Sequence, residues 1–440
     1  MGVIEPRVFK GTRDFLPEEM IHRDRIIDVM KSTFETYGFE PLETPALEYW
    51  DILTGKYGEE GEKLIYRLDY KGGHEVALRY DLTVPLSRVI ALYPHLPKPF
   101  KRYQMQPVWR ADKPQLRQGR FREFYQCDVD TVGSGSMLAD AEIIIVTHAI
   151  LSSLGFQTFR IRINNRKVLA GIVEYTCGDQ SRSADICRCI DKLDKIGMDG
   201  VKHELERCDI PDGSAQKVLK ILEISGNNET VLRDLERELS VSQMGLAGLS
   251  ELKEVFAFLQ NNGLPQDRYT FDLHLARGLD YYTGPIFETV LTDQPHIGSL
   301  AGGGRYDELI GLFSGIDEPA TGTTIGLDRI YTAMQQLNML ENVKTKTQVL
   351  VTLFDDTTFK QSMSVAQELR DNGINTDTYF EQHSMKKQFT YAHKKGIPYV
   401  VILGPDECAK DEISVKDMES GEQKTISRNA LIIYLQELTG

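Results

Sequence analysis

Two strand-like stretches, 100–110 and 120–130, flank a short charged loop from Ala111 to Gly119. A connection this short leaves no room for a crossover, so the two strands pair antiparallel as a long hairpin. With a third strand expected at 75–81, this region builds on antiparallel sheet. Alternate residues of a strand share a face. Arg120, Arg122, Phe124, Gln126, Asp128 and Asp130 have one parity, and Arg110 approaches from the partner strand. One surface therefore carries arginines near the loop and amide and acidic groups farther in. Guanidinium forks match phosphate oxygens, so the surface suits a phosphate compound joined to a cationic or hydrogen-bonding group. It also suits a solvated, salt-bridged sheet face, and charge alone does not choose between them.

The rest of the chain divides by texture. Residues 17–38 read as an amphipathic helix, with Pro17 at its start, Ile26, Ile27, Met30 and Phe34 on one face and Gly38 to close it. Segment 39–47 reads as extended, because each proline disfavours helix at the residue before it. A helix is expected at about 139–154, and 158–164 alternates as a strand. From about 168 to 262 strand signals vanish and the pattern is helical, as in an insertion. Strands return at 269–275, 284–292 and 321–326, followed by a helix at 328–340. Residues 341–347 form a polar linker. Beyond it, strand 348–354, helix 358–372, strand 375–380, helix 387–395, strand 398–403, a hairpin at 411–427 and a helix at 428–438 predict a small α/β domain with a mostly parallel sheet. The expected division is 1–340, with the insertion inside it, then the linker, then 348–440.

A length of 440 residues suits two or three domains. The net charge of −14 excludes a global positive field, so any RNA contact needs local basic patches. The six cysteines fall in no C-x-x-C pair, and Cys187 and Cys189 form a lone C-x-C. They read as free thiols, which suit a reducing compartment. No apolar leader or membrane-length stretch is present in the sequence, so the expected location is cytoplasmic, with no membrane partner.

Three further segments carry candidate chemistry. In ARGLDYYTG (276–284), Arg277 continues the parity of Phe271, Leu273 and Leu275, and Tyr281 and Tyr282 offer ring walls and hydroxyls. A core tyrosine pair beside a salt-bridged arginine fits the same residues. The glycines of AGGGRYDEL (301–309) allow close backbone approach. They match neither of the glycine-rich nucleotide fingerprints and read as a tight strand turn. TGTTIGLDRI (321–330) places Arg329 at a helix start after a strand of small residues, as ordinary strand–helix packing also would.

Taken in order, these segments resemble histidyl-tRNA synthetases over nearly the whole chain. VWRAD followed by GRFREFYQCDVD is similar to motif 2 of class II synthetases in its histidine-specific form, and GLDRI to motif 3. Pro45 in LETPALE sits where motif 1 carries its proline. LARGLDYYTG and AGGGRYDEL resemble the two histidine-specific signatures, and KGTRDFLP (10–17) is also similar. The wording is nearest to the eukaryote-like branch, with Asp81 and Asp130 where other bacterial members carry glutamate.

The resemblance implies an α+β fold: a class II antiparallel catalytic sheet flanked by helices, a helical insertion and a C-terminal α/β anticodon-binding domain. It implies ATP-dependent activation of L-histidine and transfer to tRNA(His), with Mg²⁺ accompanying ATP and a homodimer built on motif 1. Asp81, Leu82, Thr83 and Gln126 would lie at the histidine ammonium. Asp130 and Tyr282 would meet the imidazole, with Tyr281 and Tyr306 completing the pocket. Arg110 would hold the α-phosphate and also contact the histidine, Asp112 the adenine side, and Arg120 and Arg329 the outer phosphates. Arg277 would sit near the histidine carboxylate and α-phosphate, which makes Arg277 and Arg110 the expected catalytic pair. Two relatives of similar fold remain as alternatives. One is a catalytically silent regulatory subunit of ATP phosphoribosyltransferase, which typically lacks the α/β tail and loses signature residues. The other is a tRNA-sensing domain inside a larger kinase, and this chain carries no kinase segment.

Overall fold

The computed structural model describes residues 3–178, 180–276, 281–381 and 383–439. Two compact units divide them. One comprises Met1–Arg13 and Ile26–Met339, the other Asp14–Arg25 and Leu340–Gly440.

In the larger unit the strands are β1 (Glu40–Pro41), β2 (Leu47–Tyr49), β3 (Arg67–Leu68), β4 (Val76–Leu78), β5 (Phe100–Trp109), β6 (Glu123–Val132), β7 (Phe159–Asn165), β8 (Tyr269–Phe271), β9 (Pro285–Leu291), β10 (Ser299–Arg305) and β11 (Ala320–Gly326). Among the described residues they form an eight-stranded sheet in the order β1-β5-β6-β11-β10-β9-β7-β8 and a small sheet β2-β4-β3. The hairpin read from the sequence is its spine: β5 and β6 pair antiparallel from Phe100 opposite Val132 to Trp109 opposite Glu123. The pairs β6–β11, β11–β10, β10–β9 and β9–β7 are antiparallel, and the edge pairs β1–β5 and β7–β8 are parallel. Helix Met137–Ser153 buries Ile143, Ile144, Val146, Ile150 and Leu151, consistent with a helix apolar on most of its circumference packing inside the unit.

Three local expectations need correction. Strand β6 begins at Glu123, not at 120, because Arg122 turns back toward the N-terminal segment. Strand β8 ends at Phe271, so the parity that extended through Leu273 and Leu275 toward Arg277 has no strand to carry it, although both leucines are buried. The glycine run is not a turn. Gly302, Gly303 and Gly304 lie inside β10, paired with β9 and β11 on either side. Glycine is required there by crowding: a Cβ on Gly303 would stand 2.0 Å from the Gly322 carbonyl oxygen, and one on Gly304 2.6 Å from that of Pro285.

The insertion is helical as expected. It runs through Arg166–Cys177, Ser183–Asp191, Leu193–Arg207, Asp212–Leu222, Asn228–Glu238 and Gln243–Asn261. Asn165, Asn227 and Ser242 cap helix starts by accepting from Lys167, Thr230 and Gly245 amides. Helices Arg166–Cys177 and Gln243–Asn261 cross closely at Gly171, where a Cβ would come within 2.4 Å of the Gly245 Cα.

In the smaller unit β12 (Val349–Val351), β13 (Thr376–Thr378), β14 (Tyr399–Ile402), β15 (Glu412–Asp417) and β16 (Gln423–Ser427) form a sheet in the order β13-β12-β14-β15-β16. It is mixed rather than mostly parallel, since β13–β12 and β12–β14 are parallel and the C-terminal hairpin adds two antiparallel pairs. Val349 and Val351 belong to a core with Val365, Leu369, Leu431 and Leu435, while Leu350 packs with Ala392, Ile397 and Val400. Helices cover both faces, as a parallel centre requires. No helix among the described residues is long and apolar enough to cross a membrane.

Candidate active site

The antiparallel register brings the site together. Asp130 stands opposite Arg102 on β5 and Gly322 on β11; Asp128 opposes Gln104 and Thr324; Gln126 opposes Gln106 and Gly326. One face of three adjacent strands thus carries acids and amides, and the glycines of β11 leave room above them. A cavity of about 330 Å³ lies over this face. Asp81, Thr83, Arg110, Asp112, Arg120, Gln126, Asp130, Tyr281, Tyr282, Tyr306 and Arg329 all line it, so eleven residues drawn from five separate segments of sequence meet in one place. Leu82 does not line it; its side chain is buried, and its carbonyl accepts from Arg102. Arg277 lies outside the described residues.

The floor is dry and acidic. Asp81, Asp128 and Asp130 are all but fully buried. Asp81 Oδ1 accepts from the Tyr57 hydroxyl (2.9 Å) and the Val84 amide (3.2 Å). Asp130 accepts from the Tyr306 hydroxyl, and its Oδ2 is 2.9 Å from Arg102 Nη2. Gln126 donates to Thr324 Oγ1 at 3.1 Å. Burial raises the carboxyls of Asp81, Asp128 and Asp130, and the nearby guanidiniums of Arg110 and Arg102 oppose the rise. Asp128 is pushed up to about 8, with Asp130 adding to the effect of burial. Asp81 Oδ2, Gln126 Oε1, Asp128 Oδ1 and Asp130 Oδ2 have no hydrogen-bond partner among the described residues. Buried acceptors left open in this way call for a ligand or water that donates N–H or O–H. The rings of Tyr281, Tyr282 and Tyr306 form the wall, with centroids 5.0 Å and 5.9 Å apart.

The opposite end is basic. The Arg110 guanidinium lies between the rings of Tyr80 (4.2 Å) and Phe124 (5.1 Å), and its Nε donates to the Tyr80 carbonyl at 3.0 Å. This fixes the plane of the fork at the wall of the cavity, which Arg110 lines. Arg329 donates to the Ser299 carbonyl at 2.6 Å from the first turn of helix Leu327–Gln336. Arg120, half exposed, pairs with Asp112 across the hairpin loop. Arg122 is a correction: it does not line the cavity but donates to the Asp112 and Lys10 carbonyls, both at 3.0 Å, and packs on Phe9. The N-terminal segment thus braces the loop.

Sequence reasoning missed Arg102, which is fully buried and is the cation of the floor. Pairing the two strands of the hairpin residue by residue would have found it, since it faces Asp130 directly. Tyr57 was also missed, and no local pattern marks it.

Gly322 is the tightest point of the floor. A Cβ there would stand 2.0 Å from Asp130 Oδ1 and 2.7 Å from the Val129 carbonyl oxygen. Because Tyr306 and Arg102 hold Asp130, the acid cannot simply swing aside. We expect Gly322→Ala to lower stability by about 1–3 kcal/mol through overpacking and to weaken ligand binding on the floor. Denaturant unfolding checks the first part, and an unchanged midpoint would contradict it.

A site with hydrogen-bond acceptors at one end and guanidiniums at the other accommodates a cationic N–H donor joined to phosphate. The family model described as histidyl-tRNA synthetase matches residues 11–330. That covers most of the chain, and the whole lined cavity with it. The chain belongs to the histidyl-tRNA synthetase family. A second model, described as an anticodon-binding domain, matches residues 348–438. Histidine–tRNA ligases of Cytophaga hutchinsonii and Aeropyrum pernix are 40% and 43% identical, covering 97% and 98% of this chain and 99% and 98% of their own. The crystal structure of histidyl-tRNA synthetase from Nostoc sp. PCC 7120 superposes with a TM-score of 0.89 at 36% identity, over 99% of this chain and all of that one. A structure described as an ATP phosphoribosyltransferase regulatory subunit/histidyl-tRNA synthetase from Bacillus halodurans C shares the fold at 22% identity, TM-score 0.75. The full-length ligase relatives favour the synthetase reading over the silent regulatory subunit.

Proposed function

We propose that the cavity joins L-histidine to ATP and that the chain then passes the histidyl group to tRNA(His). The chain is a ligase, a histidine–tRNA ligase. The single observation that supports the residue assignment is the polarity of the cavity: open acceptors on a buried floor, arginines at the mouth. Histidine presents N–H donors at its ammonium and ring and a carboxylate beside them. Placed with its donors on the floor, it turns that carboxylate toward the arginines.

In this reading Asp81, Thr83 and Gln126 take the ammonium, and the Leu82 carbonyl acts through Arg102. Asp130 and Tyr282 take the imidazole, and Tyr281 and Tyr306 close the wall. Arg110 holds the α-phosphate, Asp112 the adenine side, Arg120 and Arg329 the outer phosphates, and Arg277 the histidine carboxylate and α-phosphate. A histidine carboxylate oxygen attacks the α-phosphorus as the bond to pyrophosphate breaks. The tRNA terminal hydroxyl then attacks the adenylate carbonyl, and AMP leaves. Neither step needs covalent chemistry from a side chain; alignment and charge neutralisation carry both. Mg²⁺ accompanying ATP would add to the phosphate-charge neutralisation that Arg110, Arg120 and Arg329 supply.

The division 1–340, 341–347 and 348–440 is proposed as catalytic part, linker and anticodon-binding part, and the enzyme is proposed to be cytoplasmic. Leu47 and Tyr49, exposed beside Pro45, support a homodimer formed on the motif 1 side. Lys386, Lys387 and Lys394 are exposed on helix Met385–Lys395, whereas Lys395 is tied to Asp377 at 2.6 Å. We expect Lys386→Glu with Lys387→Glu to slow tRNA charging and leave histidine-dependent pyrophosphate exchange unchanged. Equal charging by wild type and variant would remove these lysines from tRNA binding. The assignment as a whole is tested by exchange activity with histidine, ATP and no tRNA.

A further inference from the structure

The family resemblance gives Asp128 no task, yet it occupies the middle of the floor. It lies on β6 between Gln126 and Asp130 with their parity, 1% exposed, and lines the cavity. Gln104 faces it from β5 and Thr324 from β11. Its Oδ1 has no hydrogen-bond partner among the described residues; the Thr324 hydroxyl engages the carboxyl, and Arg102 Nη2 stands 3.9 Å from Oδ2, beyond hydrogen-bond reach. Asp130 Oδ2 also lacks a hydrogen bond, but it stands 2.9 Å from Arg102 Nη2 as an ion pair, and the Tyr306 hydroxyl engages Oδ1. Asp128 therefore has the freer acceptor. A buried carboxylate oxygen without a donor is costly, and the cost is relieved when a ligand supplies one. Burial beside Asp130 and Asp81 pushes the Asp128 carboxyl upward, so a cationic N–H donor is the ligand chemistry that would ionise it.

We propose that Asp128 is a further specificity-determining residue, its Oδ1 accepting from the imidazole N–H that Asp130 does not reach. This rests on the reading that the cavity takes histidine. Carboxylates only accept, so a ring met by Asp128 and Asp130 is held through both N–H groups, in its cationic form. Arg102 stays with Asp130 and positions it.

The test compares histidine with its two ring-N-methyl isomers as substrates for pyrophosphate exchange, in wild type and Asp128→Ala. The expected result is a rise of about tenfold or more in KM for histidine, KM for ATP little changed, and a fall of about tenfold in preference over one isomer and not the other. An unchanged KM for histidine overturns the inference. So does weaker histidine binding with both preferences unchanged, because a residue that only props the sheet would act that way. If the variant does not fold, a crystal structure of the wild-type chain with histidine decides: a ring nitrogen within hydrogen-bond distance of Asp128 Oδ1 supports the contact, and a ring held away from it overturns it. A wild type that shows no exchange with histidine overturns the functional reading and this inference with it. Exchange in wild type with Asp128→Ala unaffected overturns this inference alone.

Discussion

Replacing Asp130 with asparagine is expected to raise KM for histidine at least about a hundredfold while KM for ATP stays within about threefold, because a pocket built to hydrogen-bond its substrate discriminates by up to ~10⁴ at such a contact. Asp130 is buried, accepts from Tyr306 and pairs with Arg102 at 2.9 Å. The amide keeps the shape but removes the charge that both a ring N–H and Arg102 address. Alanine is the harsher change. It would leave Arg102 buried without its partner, a loss of roughly 3–5 kcal/mol in comparable buried pairs, so its kinetics would be mixed with instability. If KM for ATP rose while histidine binding stayed unchanged, the assignment of Asp130 would be wrong.

Arg110→Ala is expected to cost about 10²–10³ in the rate of adenylate formation, the usual consequence of removing one donor aimed at developing charge. Tyr80 and Phe124 hold the guanidinium in plane, and its Nε is spent on the Tyr80 carbonyl. The fork is thus set before ATP arrives, which is what makes such a group effective. An exchange rate within about threefold of wild type would sink the role, since a group at the reacting phosphate cannot be so dispensable.

The hairpin was legible because parity and a short loop determine an antiparallel pair without help from the rest of the chain. That placed Gln126 and Asp130 on one face and Arg110 beside them. The same reasoning erred on Arg122, whose parity is that of the floor. Its strand had not yet begun, and carbonyls of Lys10 and Asp112 were better partners than the cavity. It also misread the glycines of β10, because a strand interior that needs glycine on account of its neighbours looks locally like a turn. Tyr57 was invisible for a related reason, since it acquires its place from Asp81, a partner distant in sequence. Arg102 was missed although its register partner Asp130 lies on the same hairpin. In the tail, the alternation of strand and helix gave the order of elements but not the mixed character of the sheet, which depends on where the C-terminal hairpin docks.

ATP–pyrophosphate exchange, measured without tRNA for each of the twenty amino acids, tests the central claim most directly. Exchange with histidine and not with the other nineteen is the predicted result. No exchange with histidine, or equal exchange with another amino acid, would contradict the account.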